Sequence, residues 1–426
     1  MLVKTGAGQL NITYGGANTW SGGTQLVAGT LAMGAWNTTF GAATSKIEVK
    51  GNSTIRVFDQ NSTSAVPTIN NTIDVMKGKT LTIETGKRCA IRGKLTGAGN
   101  VKISFPYVRG DVYTNMSAFE GVFESTGGQL RLASAIDLSK GTLKLGAGVY
   151  AAHVKGGSGD EQVLTSKIGS LVSTATDCTL ASGNWNVGYL GNNDTYAGMF
   201  NSAATLNKYG EGDLTLTGSS QGKVNIHKGR VLVNNTSAET TTGAITVNNG
   251  GFLAGAGKTA TVTVKKGGVI SAGKSDYVTG TMTITGNLSV NMGGVVYSRV
   301  RGTSSTRNDA FNVAGRVALV SPVFRLERVN GEYSEGDEIK LFTGDGQVTL
   351  SGEPQFEPAV PKTGYLWDYS TLTTDGTIRV IADPVGIEGI EADADKDHDI
   401  FDVSGRKLRN VTNKGVYIIN GKKVVK

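Results

Sequence analysis

Residues 245–252 read I-T-V-N-N-G-G-F; the same figure returns at 262–269 as V-T-V-K-K-G-G-V and at 288–295 as L-S-V-N-M-G-G-V. Each copy sets two alternating apolar residues, two mostly polar positions, a glycine pair and a second apolar stretch. Looser copies keep one glycine: Val224 and Ile226 before Gly229 and Val231, Ile136 and Leu138 before Gly141 and Leu143, and Leu26 before Gly29 and Leu31. Alternation with period 2 is the signature of a half-buried strand. Glycine then supplies a corner, because it takes positive φ at little cost. A chain that turns every few residues winds into a coil, and successive coils can pair strand on strand, with Val, Ile and Leu stacked inside and Thr, Asn and Lys outside. The irregular interval between copies, roughly 17 to 26 residues where they are densest, favours a parallel β-helix with variable loops over a fixed-blade propeller. Serial β-sandwiches are the alternative.

Composition supports an all-β chain. The 61 glycines come with only seven prolines in 426 residues, which excludes collagen and Pro/Gly-rich disorder. The net charge of +7 is mild and its Lys and Arg are scattered, so no nucleic-acid partner is expected. Cys89 and Cys178 are too few for a disulfide framework; a single bridge between them stays open, and two unrelated core residues are the favoured reading. No apolar run is long enough for a transmembrane helix. Met1 leads straight into a strand pattern without a signal peptide, so a longer parent chain is expected.

The stretch L-V-K-T-G-A-G-Q-L-N-I-T-Y-G-G-A-N-T-W-S-G-G-T-Q-L-V-A-G-T-L, residues 2–31, resembles the autotransporter-associated β-strand repeat, with its "K-x-G-x-G-x-L-x-L" element. A diverged copy at 206–232, L-N-K-Y-G-E-G-D-L-T-L-T-G and onward, lacks the aromatic and the G-G-T element. The likeness continues through D-A-F-N-V-A-G-R-V-A-L to G-Y-L-W-D-Y-S-T-L-T-T-D-G-T-I-R-V, which looks like the closing segment of such passengers. The resemblance implies a β-helical protein carried outside the cell.

After Ile381 the sequence turns acidic, D-P-V-G-I-E-G-I-E-A-D-A-D-K-D-H-D, and loses its alternation, which reads as a linker. Strand-like runs resume at 400–403 and 415–420, and Asn420-Gly421 is a hairpin signal. F-D-V-S-G-R-K-L followed by K-G-V-Y-I-I-N-G-K-K-V-V-K looks like the type A C-terminal sorting domain of type IX secretion in the Bacteroidetes, although the usual domain has several more strands upstream. By that resemblance Gly405, Arg406, Gly415 and Tyr417 would sit in the segment that secretion machinery recognises. The expected organisation is a β-helix over 1–308, a β-rich cap over 309–382, an acidic linker over 383–397 and a small β sorting segment over 398–426.

Several motifs match by pattern and fail by context. Gly268–Ser275 satisfies G-x-x-x-x-G-K-S, but T-G-T-M-T-I-T-G follows it and alternates as a strand where a P-loop needs a helix. Gly218–Gly222 satisfies G-x-S-x-G without a strand-to-helix elbow and reads as a loop. His153, His227 and His398 lack zinc-ligand spacing and read as surface residues. Asp160-Glu161 and Asn192-Asn193-Asp194 place hard oxygen ligands in Gly-rich loops, which suits calcium better than zinc, but no G-G-x-G-x-D repeat supports it. Trp20, Trp36, Trp185 and Trp367 could stack on sugars; packing is favoured for Trp20 and Trp367, which lie in the repeat patterns. No catalytic, cofactor or metal residue is assigned. The expectation is a secreted or cell-surface structural or adhesive passenger of a Gram-negative bacterium, taking a surface glycan or host ligand. The alternative is the non-catalytic C-terminal region of a secreted polysaccharide-degrading enzyme, or a chain that is itself such a lyase-like enzyme.

Overall fold

The computed structural model describes residues 1–13, 17–59, 62–156, 160–235, 242–273, 278–302, 308–383, 400–409, 415–419 and 422–425, with backbone alone at 107–109. Two compact units emerge, Met1–Ile381 and Ala382–Lys426.

The first unit is a parallel β-helix. Strands Lys223–Ile226, Ile245–Val247, Val262–Val264, Leu288–Val290 and Val317–Val320 pair in parallel, in chain order. The strands after each corner, Gly229–Val233, Gly251–Ala254, Val269–Ile270, Val295–Val300 and Val323–Arg328, do the same on a second face. A third face is built from Cys89–Ile91, the far ends of Asn100–Val112 and Val122–Leu132, then Tyr150–His153, and later from Lys258–Thr259, Thr281–Ile284 and Ala310–Val313. Serial sandwiches would need antiparallel hairpins, and these three stacks are parallel.

Register explains the core. Trp185, Leu206, Val224, Ile245, Val262, Leu288 and Val317 lie directly over one another and are all buried. Each such side chain contributes about 1.5–3 kcal/mol by leaving water. The corners follow the glycine figure: Gly250, Gly267 and Gly293 hold φ of 81°, 73° and 70°. Their twins pack against the rung below, so that a Cβ on Gly251 would stand 2.5 Å from the Ile226 carbonyl oxygen. The copy at Gly141 differs, since Asp137–Leu145 runs on as one strand with a register irregularity between Leu138 and Thr142.

The K-x-G-x-G element gains a physical role. Lys4 and Lys208 both turn into the coil, where each Nζ donates to three backbone carbonyls: Thr5, Gly6 and Ala28 in one corner, Tyr209, Gly210 and Lys228 in the other. The diverged copy therefore keeps its corner without the aromatic and the G-G-T element.

Parallel pairing continues through Val348–Ser351 and Gln355–Glu357. Over the last rungs, Thr377–Ala382 pairs antiparallel with Glu338–Lys340 and also flanks Tyr365–Asp368. Trp367 is buried there, edge-on to Tyr333 at 4.9 Å and stacked on Phe356 at 5.8 Å. Among the described residues no helix is long and apolar enough to cross a membrane.

The second unit is a four-stranded antiparallel sheet in the order Lys407–Leu408, Ile400–Asp402, Val416–Ile419, Lys422–Val425. The expected linker at 383–397, apart from Asp383, lies outside the described residues, as do His398 and the Asn420-Gly421 hairpin signal.

Candidate functional site

A groove of ≈ 630 Å³ lies on the second face of the early rungs. Register builds it. One outward row runs Asn11, Ala32, Arg56, Glu84, Ser104, and a parallel row runs Gln9, Thr30, Thr54, Thr82, Lys102, Glu124, Lys144. Ala32 is the short side chain of the first row, and the hollow forms over it. Arg56 arches across this gap, donating to Gln9 Oε1 at 2.8 Å and to Glu84 Oε2 at 2.9 Å. Gln9 in turn donates to Asn11 Oδ1 at 2.6 Å. Beside it Glu124 is held between Lys144 at 2.9 Å and Lys102 at 3.5 Å. Burial raises the Glu124 pKa, but the hydrogen bond and charge of Lys144, with Lys102 beyond, outweigh it and hold the carboxyl below its ordinary value.

This arrangement suits recognition of polar chains better than proton transfer. Glu84 and Glu124 are both neutralised by cations, and a general acid needs a carboxyl held protonated near neutral pH. Among the described residues, Asp194 and Asp309 are carboxyls that burial holds above their ordinary value despite their partners, and both are engaged elsewhere. Asp194 Oδ2 accepts from the Leu171 amide at 3.2 Å, and Asp309 forms a buried pair with Arg299 at 2.6 Å.

The calcium candidates have protein partners of their own. Asn192 Nδ2 donates to Ser170 Oγ, Asn193 Oδ1 accepts from the Asp213 amide, and Asp194 lies buried against the neighbouring rung. Glu161 accepts the Tyr150 hydroxyl at 2.5 Å, and the Asp160 carbonyl accepts from the Lys155 amide. Among the described residues no group of three His, Cys, Asp or Glu is placed to hold a metal.

The histidine reading needs correction. His153 is not on the surface: it is fully buried, with Nδ1 3.0 Å from the Ser182 carbonyl and Nε2 2.8 Å from Ser166 Oγ. The carbonyl can only accept, so Nδ1 carries the proton and Ser166 donates to Nε2. The ring lies 4.6 Å from Trp185, and burial lowers its pKa, against the Ser182 bond. This Ser–His contact is sealed inside the coil as part of a core network. His227 is half-buried, stacked on Tyr209 at 4.7 Å, which itself stacks on Tyr189 at 5.4 Å.

The remaining motifs are structural. Val269–Ile270 is a rung strand, and the carbonyl of Ala272 in the P-loop pattern accepts from the Arg299 guanidinium at 2.9 Å; Lys274 and Ser275 lie outside the described residues. Gly218–Gly222 is a corner in which Ser220 is buried and bridges to Phe200. Cys89 and Cys178 are separate buried thiols, and burial, with Asp111 adding, pushes Cys89 up to about 12. Trp185 is buried, whereas Trp36 is exposed.

The four sorting candidates share the C-terminal unit. Gly405 takes φ of 84° in a loop tied by Asp402, whose Oδ1 accepts from the Ser404 amide and hydroxyl and the Arg406 amide. These bonds hold Asp402 below its ordinary pKa. Arg406 is exposed and reaches Asp402 Oδ2 at 3.1 Å, Tyr417 is buried opposite Asp402 in the register, and Gly415 leaves room beside the Tyr417 ring. No family model matches this chain, and no curated protein matches it.

The groove has no sequence motif. Gln9, Arg56 and Glu84 come from three separate rungs, and only strand register puts them side by side.

Proposed function

We propose that the chain is a secreted or cell-surface β-helical passenger, structural and adhesive, carried out of a Gram-negative cell by its C-terminal sheet acting as a sorting signal. The observation that carries this reading is the Asp402–Arg406 loop: a short compact unit presents an exposed arginine and a basic terminal strand, the feature that the sequence resemblance assigns to the secretion machinery. The solenoid supports the adhesive half. Its corners are fixed by buried hydrogen bonds and its early-rung groove offers paired polar groups along successive rungs, a surface suited to a glycan or a host ligand. Neutralised carboxylates in that groove weigh against a lyase.

Deleting residues 400–426, and separately substituting Arg406→Ala with Tyr417→Ala, in a Bacteroidetes host tests the sorting role. Loss of the protein from the outer surface, with the full-length chain displayed there, is the expected result. Unchanged display of both variants would overturn it.

A further inference from the structure

A second groove, of ≈ 410 Å³, lies on the same face in the later rungs. Its floor comes from Leu232 and its register partner Ala254, with the short Ser271 following on the next rung. Tyr297 closes the far end and Phe252 one side, 6.2 Å apart between ring centroids. Such a trough offers apolar and aromatic surface to the C–H face of a sugar ring.

The charges around it are mostly spent. Arg230 forms a two-pronged pair with Asp213, Nε to Oδ1 at 3.0 Å and a terminal nitrogen to Oδ2 at 2.6 Å. Arg299 is locked by Asp309 and by the carbonyls of Ala272 and Val278. Arg301 is different. Its Nε is buried without a hydrogen-bond partner, and the residue lines the groove. An unsatisfied buried donor on a cation is costly and calls for an acceptor. Glu327 stands on the same rim, exposed, with Tyr297 Oη donating to it. Its carboxylate has further lone pairs for hydroxyl donors.

We propose that this groove binds a carboxylate-bearing sugar residue of a polysaccharide or glycan. The sugar's carboxylate takes the Arg301 guanidinium, its hydroxyls donate to Glu327, and its apolar face lies over Ala254 between Phe252 and Tyr297. A neutral sugar would leave the Arg301 charge without a counter-charge, and a simple inorganic anion would leave the aromatic trough empty. The site therefore selects for acid and sugar together. It deepens the adhesive reading and is independent of export.

Binding of a galacturonate oligosaccharide, sialyllactose, lactose and inorganic phosphate to the purified chain, followed by ligand-observed NMR and calorimetry, tests it. At least one of the two acidic sugars should bind, and lactose and phosphate should not. Which one binds identifies whether a uronate or a sialic acid is the source. Arg301→Gln should weaken that binding about tenfold or more, and Phe252→Ala should weaken it too, both with unchanged melting temperature. Failure of both acidic sugars, equal binding of lactose, or full affinity in Arg301→Gln would overturn the site. None of these outcomes touches the sorting role, which is read from surface display.

Discussion

Lys4 and Lys208 occupy the same place in two distant corners: each ammonium donates to the carbonyls one and two residues ahead and to the carbonyl just before the corner glycine of the next rung, Ala28 before Gly29 and Lys228 before Gly229. Three donors meet three acceptors that the bend would otherwise leave unpaired inside the coil. Burial pushes Lys208 down to about 8, while Asp213, Asp194 and Glu211 pull it back.

Replacing Lys208 by Met keeps the apolar stem and strands three carbonyls. The expected loss is about 2–4 kcal/mol, on the scale of unsatisfied buried groups. Lys228→Met, at an exposed surface pair with Glu211, should change stability by less than about 1 kcal/mol. Denaturant midpoints of the two variants decide this; equal losses would remove the clamp as an explanation of the repeat.

Glycine is required at the next-rung corner for two reasons, and they can be separated. Gly229 holds φ of 67°, and a Cβ there would stand 2.3 Å from the Gly210 carbonyl oxygen. Gly148 holds φ of 65° with nothing within 4 Å of the same atom. Gly148→Ala should cost only the left-handed penalty of about 1–2 kcal/mol, whereas Gly229→Ala adds a backbone clash and should cost clearly more. Thermal unfolding of the pair is the measurement.

His153 should make the solenoid acid-sensitive. Burial puts its folded pKa below the ordinary value of about 6.5, so the unfolded chain binds the proton more readily. The stability from neutral His153 is present above about pH 6.5 and is lost as the pH falls from there through the lower folded value, at no more than about 1.4 kcal/mol per pH unit. His153→Gln should start less stable at pH 7.5 and lose less between pH 7 and 5. A wild type and variant that decline in parallel would refute this role.

The Arg299–Asp309 pair joins the loop after Ile270 to the strand at 310–313. Asp309 is fully buried and also accepts the Gly280 and Arg299 amides. Asp309→Ala should destabilise by about 3–5 kcal/mol, because it leaves a buried guanidinium without its counter-charge. Local hydrogen exchange at 278–284 should rise before the N-terminal rungs are affected.

The repeat was legible because local chemistry dictates it. Period-2 alternation and a corner glycine are properties of a few neighbouring residues, so I-T-V-N-N-G-G-F already specified strand, corner and strand. The same figure misled at Gly141, where alternation on both sides allowed one strand to run through with a slipped register. His153 was misread for a related reason. A polar residue in a strand looks solvent-facing until its partners are known, and Ser166 and Ser182 come from later rungs.

The sequence by itself thus determined the coil and its apolar interior, since both follow from the spacing of glycine and branched side chains along the chain. Tertiary structure alone decided which side chains share a row: Gln9, Arg56 and Glu84 in one groove, and Ala254, Tyr297 and Arg301 in another. Register between rungs depends on the length of every intervening loop, and those lengths vary. The chemistry of the surface is therefore written across rungs, at right angles to the direction in which the sequence is read.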